Sequence, residues 1–140
     1  MKGDYALLCP VPAVHMADAI KIQGIVAFGS DRTEMFWKDD GDKIAPGTMV
    51  LICATLLSED EPPGAEVAYQ ATYAGWLSRV KDEIRPHSAR SDTKFEGFWT
   101  VRELKKLGAA IPLEALTGWN TKRPVLTTPR RPMFVFEPGE

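Results

Sequence analysis

Residues 48–54, Thr48-Met49-Val50-Leu51-Ile52-Cys53-Ala54, are apolar at odd and even positions alike. A run this short, with no polar face, fits a strand buried on both sides and fits poorly a helix that must keep one side in water. It is set off on one side by Pro46-Gly47, a turn corner, and on the other by Ser58-Glu59-Asp60-Glu61-Pro62-Pro63-Gly64. That second stretch lacks apolar residues and carries two prolines that cannot continue a ladder, so it is read as a loop. Beyond it, residues 66–77 are rich in β-branched and aromatic side chains. The two runs joined by the loop predict a long antiparallel hairpin, with Gly75 at a bend or bulge.

The other elements follow from local signals. Residues 5–8 read as a first strand stopped by Pro10-Val11-Pro12. Residues 14–25 read as a helix with Val14, Ala17 and Ile20 to Ile22 on one face, and residues 26–38 stay unassigned. Residues 94–99 read as a strand feeding a helix. That helix is predicted from Thr100-Val101-Arg102-Glu103, which has the spacing of a capping box, with Leu104 and Leu107 on one face and Gly108 as its left-handed stop. A second short turn is predicted at Pro112, with Leu113 and Leu116 inward and Gly118 closing it. Residues 131–136 read as a last strand, with Pro132 marking an edge. The fold class is therefore α+β: a small, mainly antiparallel curled sheet or β-barrel flanked by two or three short helices.

The 140 residues suffice for one hydrophobic core, and no linker divides them, so residues 1–140 are read as a single domain. No apolar run approaches the roughly 18 residues of a membrane-spanning helix. The first ten residues do not resemble an export leader, because Asp4 interrupts the basic region and Pro10 ends a short apolar run; a cytoplasmic location is expected. Cys9 and Cys53 lie in apolar runs and read as buried thiols. His15 and His87 are far apart in sequence, so no metal site and no cofactor are expected. Charge is uneven: residues 1–78 hold 5 Lys or Arg against 11 Asp or Glu, whereas residues 79–140 hold 12 against 8. The second part is where a phosphate backbone would be met, while a pI near 5.7 speaks against non-specific coating of nucleic acid.

The order of elements resembles a known superfamily. A first strand ends in Leu7-Leu8-Cys9-Pro10, followed by an aromatic-rich stretch, then Ile44-Ala45-Pro46-Gly47-Thr48-Met49-Val50-Leu51-Ile52, a second long strand, and a late Ile111-Pro112-Leu113. Over residues 5–117 this resembles the PUA-like superfamily and, within it, the EVE domain, a relative of the YTH domain. The chain departs from EVE domains at Tyr5, where Trp is usual, and in lacking an acid before the proline. The basic, aromatic Arg-Asn-Tyr-like motif also has no clean match between Ser30 and Lys38. The resemblance implies a small barrel-like fold and a non-catalytic module that recognises nucleic acid, RNA or modified DNA, through one modified or extruded base.

Aromatic faces hold such a base, and a few polar groups read its edge. The candidate aromatics are Trp37, Trp76, Trp99 and Trp119, with Trp37 the first choice for stacking and Trp76 the second; Ser30 and Arg32 are candidates for the base edge, and Arg85, Arg90, Arg123, Arg130 and Arg131 for phosphates. Each Trp is weighed against a role in the core. A small enzyme acting on a nucleotide-like molecule is the rival reading. Cys9 with His15, or Ser88 beside His87, are its candidate pairs, and neither has the spacing of a known triad or nucleophile elbow. No Gly-rich phosphate loop is present in the sequence. A protein-interaction module is the third reading, with Trp119 and Phe134-Val135-Phe136 as its surfaces.

Overall fold

The computed structural model describes residues 5–30, 46–55, 66–77, 79–86, 97–119, 121–126 and 132–138. Six strands form one mixed sheet: β1 (Tyr5–Pro12), β2 (Val26–Ser30), β3 (Met49–Thr55), β4 (Glu66–Leu77), β5 (Gly97–Pro112) and β6 (Met133–Phe136). Their order across the sheet is β2-β5-β4-β3-β1-β6. The end strands do not pair among the described residues, so the sheet is open and not a barrel. Only β1 and β3 run parallel; the other pairings are antiparallel.

The hairpin read from the apolar run is present as β3 and β4, with Met49 opposite Thr72 and Ile52 opposite Tyr69. Pro46-Gly47 forms the turn before it. Gly47 takes φ 102°, a region open to glycine, and its N–H donates to the Tyr73 carbonyl at 2.9 Å. The loop at residues 58–64 lies outside the described residues.

Strand β1 runs four residues further than Pro10 suggested. β6 pairs with it only from Tyr5 to Leu8, whereas β3 accompanies it to Pro12. Among the described residues nothing pairs with that flank of β1 beyond Leu8. A proline there need not donate a ladder hydrogen bond, which is the edge setting in which strands tolerate it.

Alternation along β1 divides the core in two. Leu7, Cys9 and Val11 face one side with Val50, Ile52, Tyr73, Trp99 and Val101, while Ala6 and Leu8 face the other with Leu51, Cys53 and Val67. The helix α1 (Ala13–Ala19) covers the first face through Met16 and Ala19. It is shorter than the helix read from residues 14–25 and turned differently, since Ala17 and Ile20 face out. Its end tightens as Lys21 N–H meets the Asp18 carbonyl and Ile22 N–H the Ala19 carbonyl. The second face is covered by Leu113, Leu116 and Val125, from a 3-10 turn (Leu113–Ala115) and the hairpin after it. Leu113 and Leu116 point inward as read from the sequence. No helix among the described residues is long and apolar enough to cross a membrane.

The capped helix expected from Thr100 is absent: residues 97–112 are β5. Thr100 Oγ1 donates to the Gly75 carbonyl at 2.7 Å and caps nothing. Leu104 and Leu107 pack on opposite faces of the sheet, and Gly108 does not enter the left-handed region. The magnitudes explain the outcome. A capping residue contributes about 1 kcal/mol. Burying Trp99 and Val101 between β2 and β4 draws on roughly 1.5–3 kcal/mol for each large apolar side chain.

Candidate functional site

The sheet end formed by β2, β5 and β4 gathers three aromatic rings on one face. Trp76 is the cross-strand partner of Trp99, and Trp99 stacks on Phe28 with centroids 4.6 Å apart and planes at 28°. Trp99 and Phe28 are core residues, whereas Trp76 is half-buried. A register shift in β4 places Trp76 on this face. Tyr73 opposes Val101, but Gly75 already opposes Thr100, so Ala74 is an extra residue. Were Ala74 paired in an unbroken ladder, strict alternation would turn Trp76 to the side of Gln70 and Thr72, away from Tyr73.

Gly97, at the start of β5, lies under the indole: a Cβ on it would collide with the Trp76 ring. Gly97 is in turn the partner of Ser30. Two of the residues singled out from sequence, Ser30 and Trp76, thus come to one place, joined through Gly97.

Trp119 lies elsewhere, beside β6 and three strand positions from β4. Its N–H donates to the Phe134 carbonyl at 2.9 Å, and Phe136 N–H reaches the Thr117 carbonyl at the same distance. The edge of β6 is therefore occupied by residues 117–119, which corrects the reading of Phe134-Val135-Phe136 as exposed; Phe134 and Val135 are buried. The Trp119 ring packs edge-on against Tyr5 at 5.3 Å and lies tilted by 42° against Phe136 at 4.5 Å. Lys122 Nζ sits 5.0 Å from the Trp119 ring and 4.7 Å from that of Phe136.

Of the candidate phosphate contacts, Arg123 is exposed, at the end of the tight turn in which Gly118 N–H meets its carbonyl. Arg85 is 5% exposed, with its guanidinium carbon 4.9 Å above the Phe98 ring. Stacked there, it serves the packing of the sheet end and offers little to a phosphate in solvent. Trp37, Arg32, Arg90, Arg130 and Arg131 lie outside the described residues, as do His87 and Ser88.

Sequence reasoning missed the basic residues of β5. Arg102, Lys105 and Lys106 are exposed and stand opposite Thr72, Gln70 and Tyr69. A helix over this segment would turn them away from the face of Leu104 and Leu107, so its pattern gives them no common role. The signal that pointed the other way was the β-favouring run Phe98-Trp99-Thr100-Val101 just ahead of them.

Cys9 and Cys53 are buried and face opposite sides of the sheet. Burial, and after it the proximity of Cys53, pushes the Cys9 thiol far above its ordinary range. Burial and then Cys9 do the same to the Tyr73 hydroxyl. A thiol held neutral in this way is a poor nucleophile, because the thiolate is the reactive form. Among the described residues, no three His, Cys, Asp or Glu side chains are grouped as a metal ion would require. No protein-family model matches the chain, and no curated protein is significantly similar to it.

Proposed function

We propose that this chain is a non-catalytic module that recognises nucleic acid, RNA or modified DNA, by laying an extruded base against Trp76. The observation that carries the reading is the placement of that ring. A register shift brings a half-buried indole onto the aromatic face, and a glycine beneath it leaves the room. A single stacked base is worth about 1–3 kcal/mol, so one such ring makes a difference that binding experiments resolve. The polar backbone of Ser30 ends β2 beside Gly97, within the same corner, where a base edge would be read.

The fold reading that accompanies this is a PUA-like domain of EVE type. It is supported by the strand that precedes a Pro-Gly turn and a doubly buried strand, by the long antiparallel β4, and by the Ile111-Pro112-Leu113 junction. The capped helix contributes nothing to it, since that segment is β5.

The test is binding of the purified protein to short RNA and DNA oligonucleotides, with and without modified bases, by fluorescence anisotropy. Base-dependent binding that weakens about five- to a hundredfold in Trp76→Ala supports the reading, matching the energy of one stacked base. Binding that is indifferent to base identity and unchanged in Trp76→Ala refutes it.

A further inference from the structure

From Phe98 to Val101, β5 is paired on both sides, with β2 and β4; from Arg102 to Pro112 it pairs only with β4 among the described residues. Three exposed cations stand along this open flank. Lys106 shares the face of Tyr69 and Leu104, while Arg102 and Lys105 share the face of Thr72 and Gln70. Neither Lys105 nor Lys106 has an ion-pair partner among the described residues. The nearby carboxylate is already engaged: Glu103 accepts a hydrogen bond from Thr72 Oγ1 at 3.2 Å and lies 3.9 Å from Arg102 Nε.

We infer that this flank of β5 is a phosphate track, on which Arg102, Lys105 and Lys106 hold the backbone of a single-stranded nucleic acid. The inference rests on the proposed function above and extends it from the base to the backbone. Trp99, the partner of Trp76, is seven residues before Lys106, roughly 23 Å at about 3.3 Å per residue. That length suits a single-stranded site of several nucleotides. Cations straddling a strand edge reach a flexible backbone from both sides, and edge amides supply further donors to phosphate oxygens.

An acidic peptide adding as a seventh strand is the competing occupant, and the edge is built against it. Strand addition needs an even ladder. Here Glu103 is left-handed at φ 57° and adds one residue to β5. Further on, two steps along β4, from Val67 to Tyr69, span five along β5, from Ile111 to Lys106. Only residues 104–106 keep regular spacing between these irregularities, which is too short a template for a strand.

The experiment measures the affinity of oligouridylate and oligothymidylate across a salt series for the full chain, for Lys105→Ala/Lys106→Ala and for Trp76→Ala. Thermal midpoints confirm that the exposed lysine changes leave the fold intact. Removing one cation that neutralises a phosphate lowers the slope of log affinity against log salt by about 0.7, so the double variant should drop by about 1.4 and bind more weakly at low salt. Trp76→Ala should keep the slope and lose base preference. An unchanged slope in the double variant overturns the track and leaves the Trp76 reading standing. An unchanged base preference in Trp76→Ala overturns that reading alone, and absence of binding by the full chain overturns both. If the double variant self-associates while its salt slope is unchanged, the lysines are only guards of a strand edge and the inference is wrong. Capture of a polyglutamate peptide but not of oligonucleotides, abolished in the same variant, also overturns it.

Discussion

The indole of Trp76 occupies the space in which any side chain on Gly97 would have to stand. The two residues are on neighbouring antiparallel strands, two register steps apart and so on one face, since Trp76 pairs with Trp99 and Leu77 with Phe98. Glycine here is a packing requirement and not a matter of backbone freedom. Gly97→Ala is expected to force the indole off the sheet and to cost about 1–3 kcal/mol, the usual penalty for overpacking. Chemical denaturation followed by tryptophan fluorescence measures both effects. A stability and emission maximum equal to those of the parent chain would show that Trp76 does not depend on this glycine.

Gly75 presents the opposite case. A Cβ added there would meet no atom within 4 Å, yet the residue sits at φ 135°, where side chains are rarely found. Gly75→Ala is therefore expected to destabilise through backbone strain alone, by about 1–3 kcal/mol. Thermal melts of the variant and the parent measure this cost. Equal midpoints would show that the backbone at Gly75 carries no such strain.

Why some of this was legible in sequence and some was not follows from where the information lies. The β3–β4 hairpin announced itself because both strands carry their own signal, an apolar run and an aromatic one, with a proline loop between. The bounds of β4, its glycine irregularity and the inward Leu113 and Leu116 followed from the same kind of local chemistry. β5 did not, because Thr100 and Glu103 imitate a helix start, while the strand is fixed by partners distant in sequence, β2 and β4. Reading it as a helix also hid Arg102, Lys105 and Lys106, whose alignment exists only on an extended chain. In the same way Pro10 reads as a stop because the sequence does not tell which flank of β1 lacks a neighbour. Trp76 was legible as a candidate, but its face was not, since one bulge decides it.

Burial of Cys9 and Tyr73 makes stability depend on alkaline pH. Both groups ionise less readily folded than unfolded, so the native state retains protons that the unfolded chain releases. The sign follows: stability is full below the unfolded thiol value, near pH 9.0, and falls as pH rises above it, with Tyr73 adding to the fall above pH 10.0. Each group contributes a slope of up to about 1.4 kcal/mol per pH unit. Urea denaturation midpoints measured from neutral to alkaline pH should drop in this window. Cys9→Val, a nearby volume, should flatten the first part of the decline; a parent chain whose midpoint holds steady to pH 10.0 would contradict the burial of Cys9, and one that stays steady well above pH 10.0 would contradict that of Tyr73 as well.

Lys122 offers a separate test, at the other side of the sheet. It is left-handed at φ 60°, a conformation that costs a side-chain-bearing residue about 1–2 kcal/mol. Its ammonium lies close to both the Trp119 and Phe136 rings. A cation set against an aromatic face is worth about 0.5–1 kcal/mol at exposed sites, so it offsets part of that strain. Lys122→Met keeps the strain and the aliphatic stem while removing the charge, and should lower stability by that amount. Lys122→Gly removes the charge but relieves the backbone, so it should be the more stable of the two. Thermal unfolding of both variants decides the matter. If the methionine variant equals the parent, the ammonium contributes nothing to holding Trp119 and Phe136 together, and the turn from Gly118 to Arg123 is held by its hydrogen bonds, among them that from Arg123 N–H to Thr121 Oγ1.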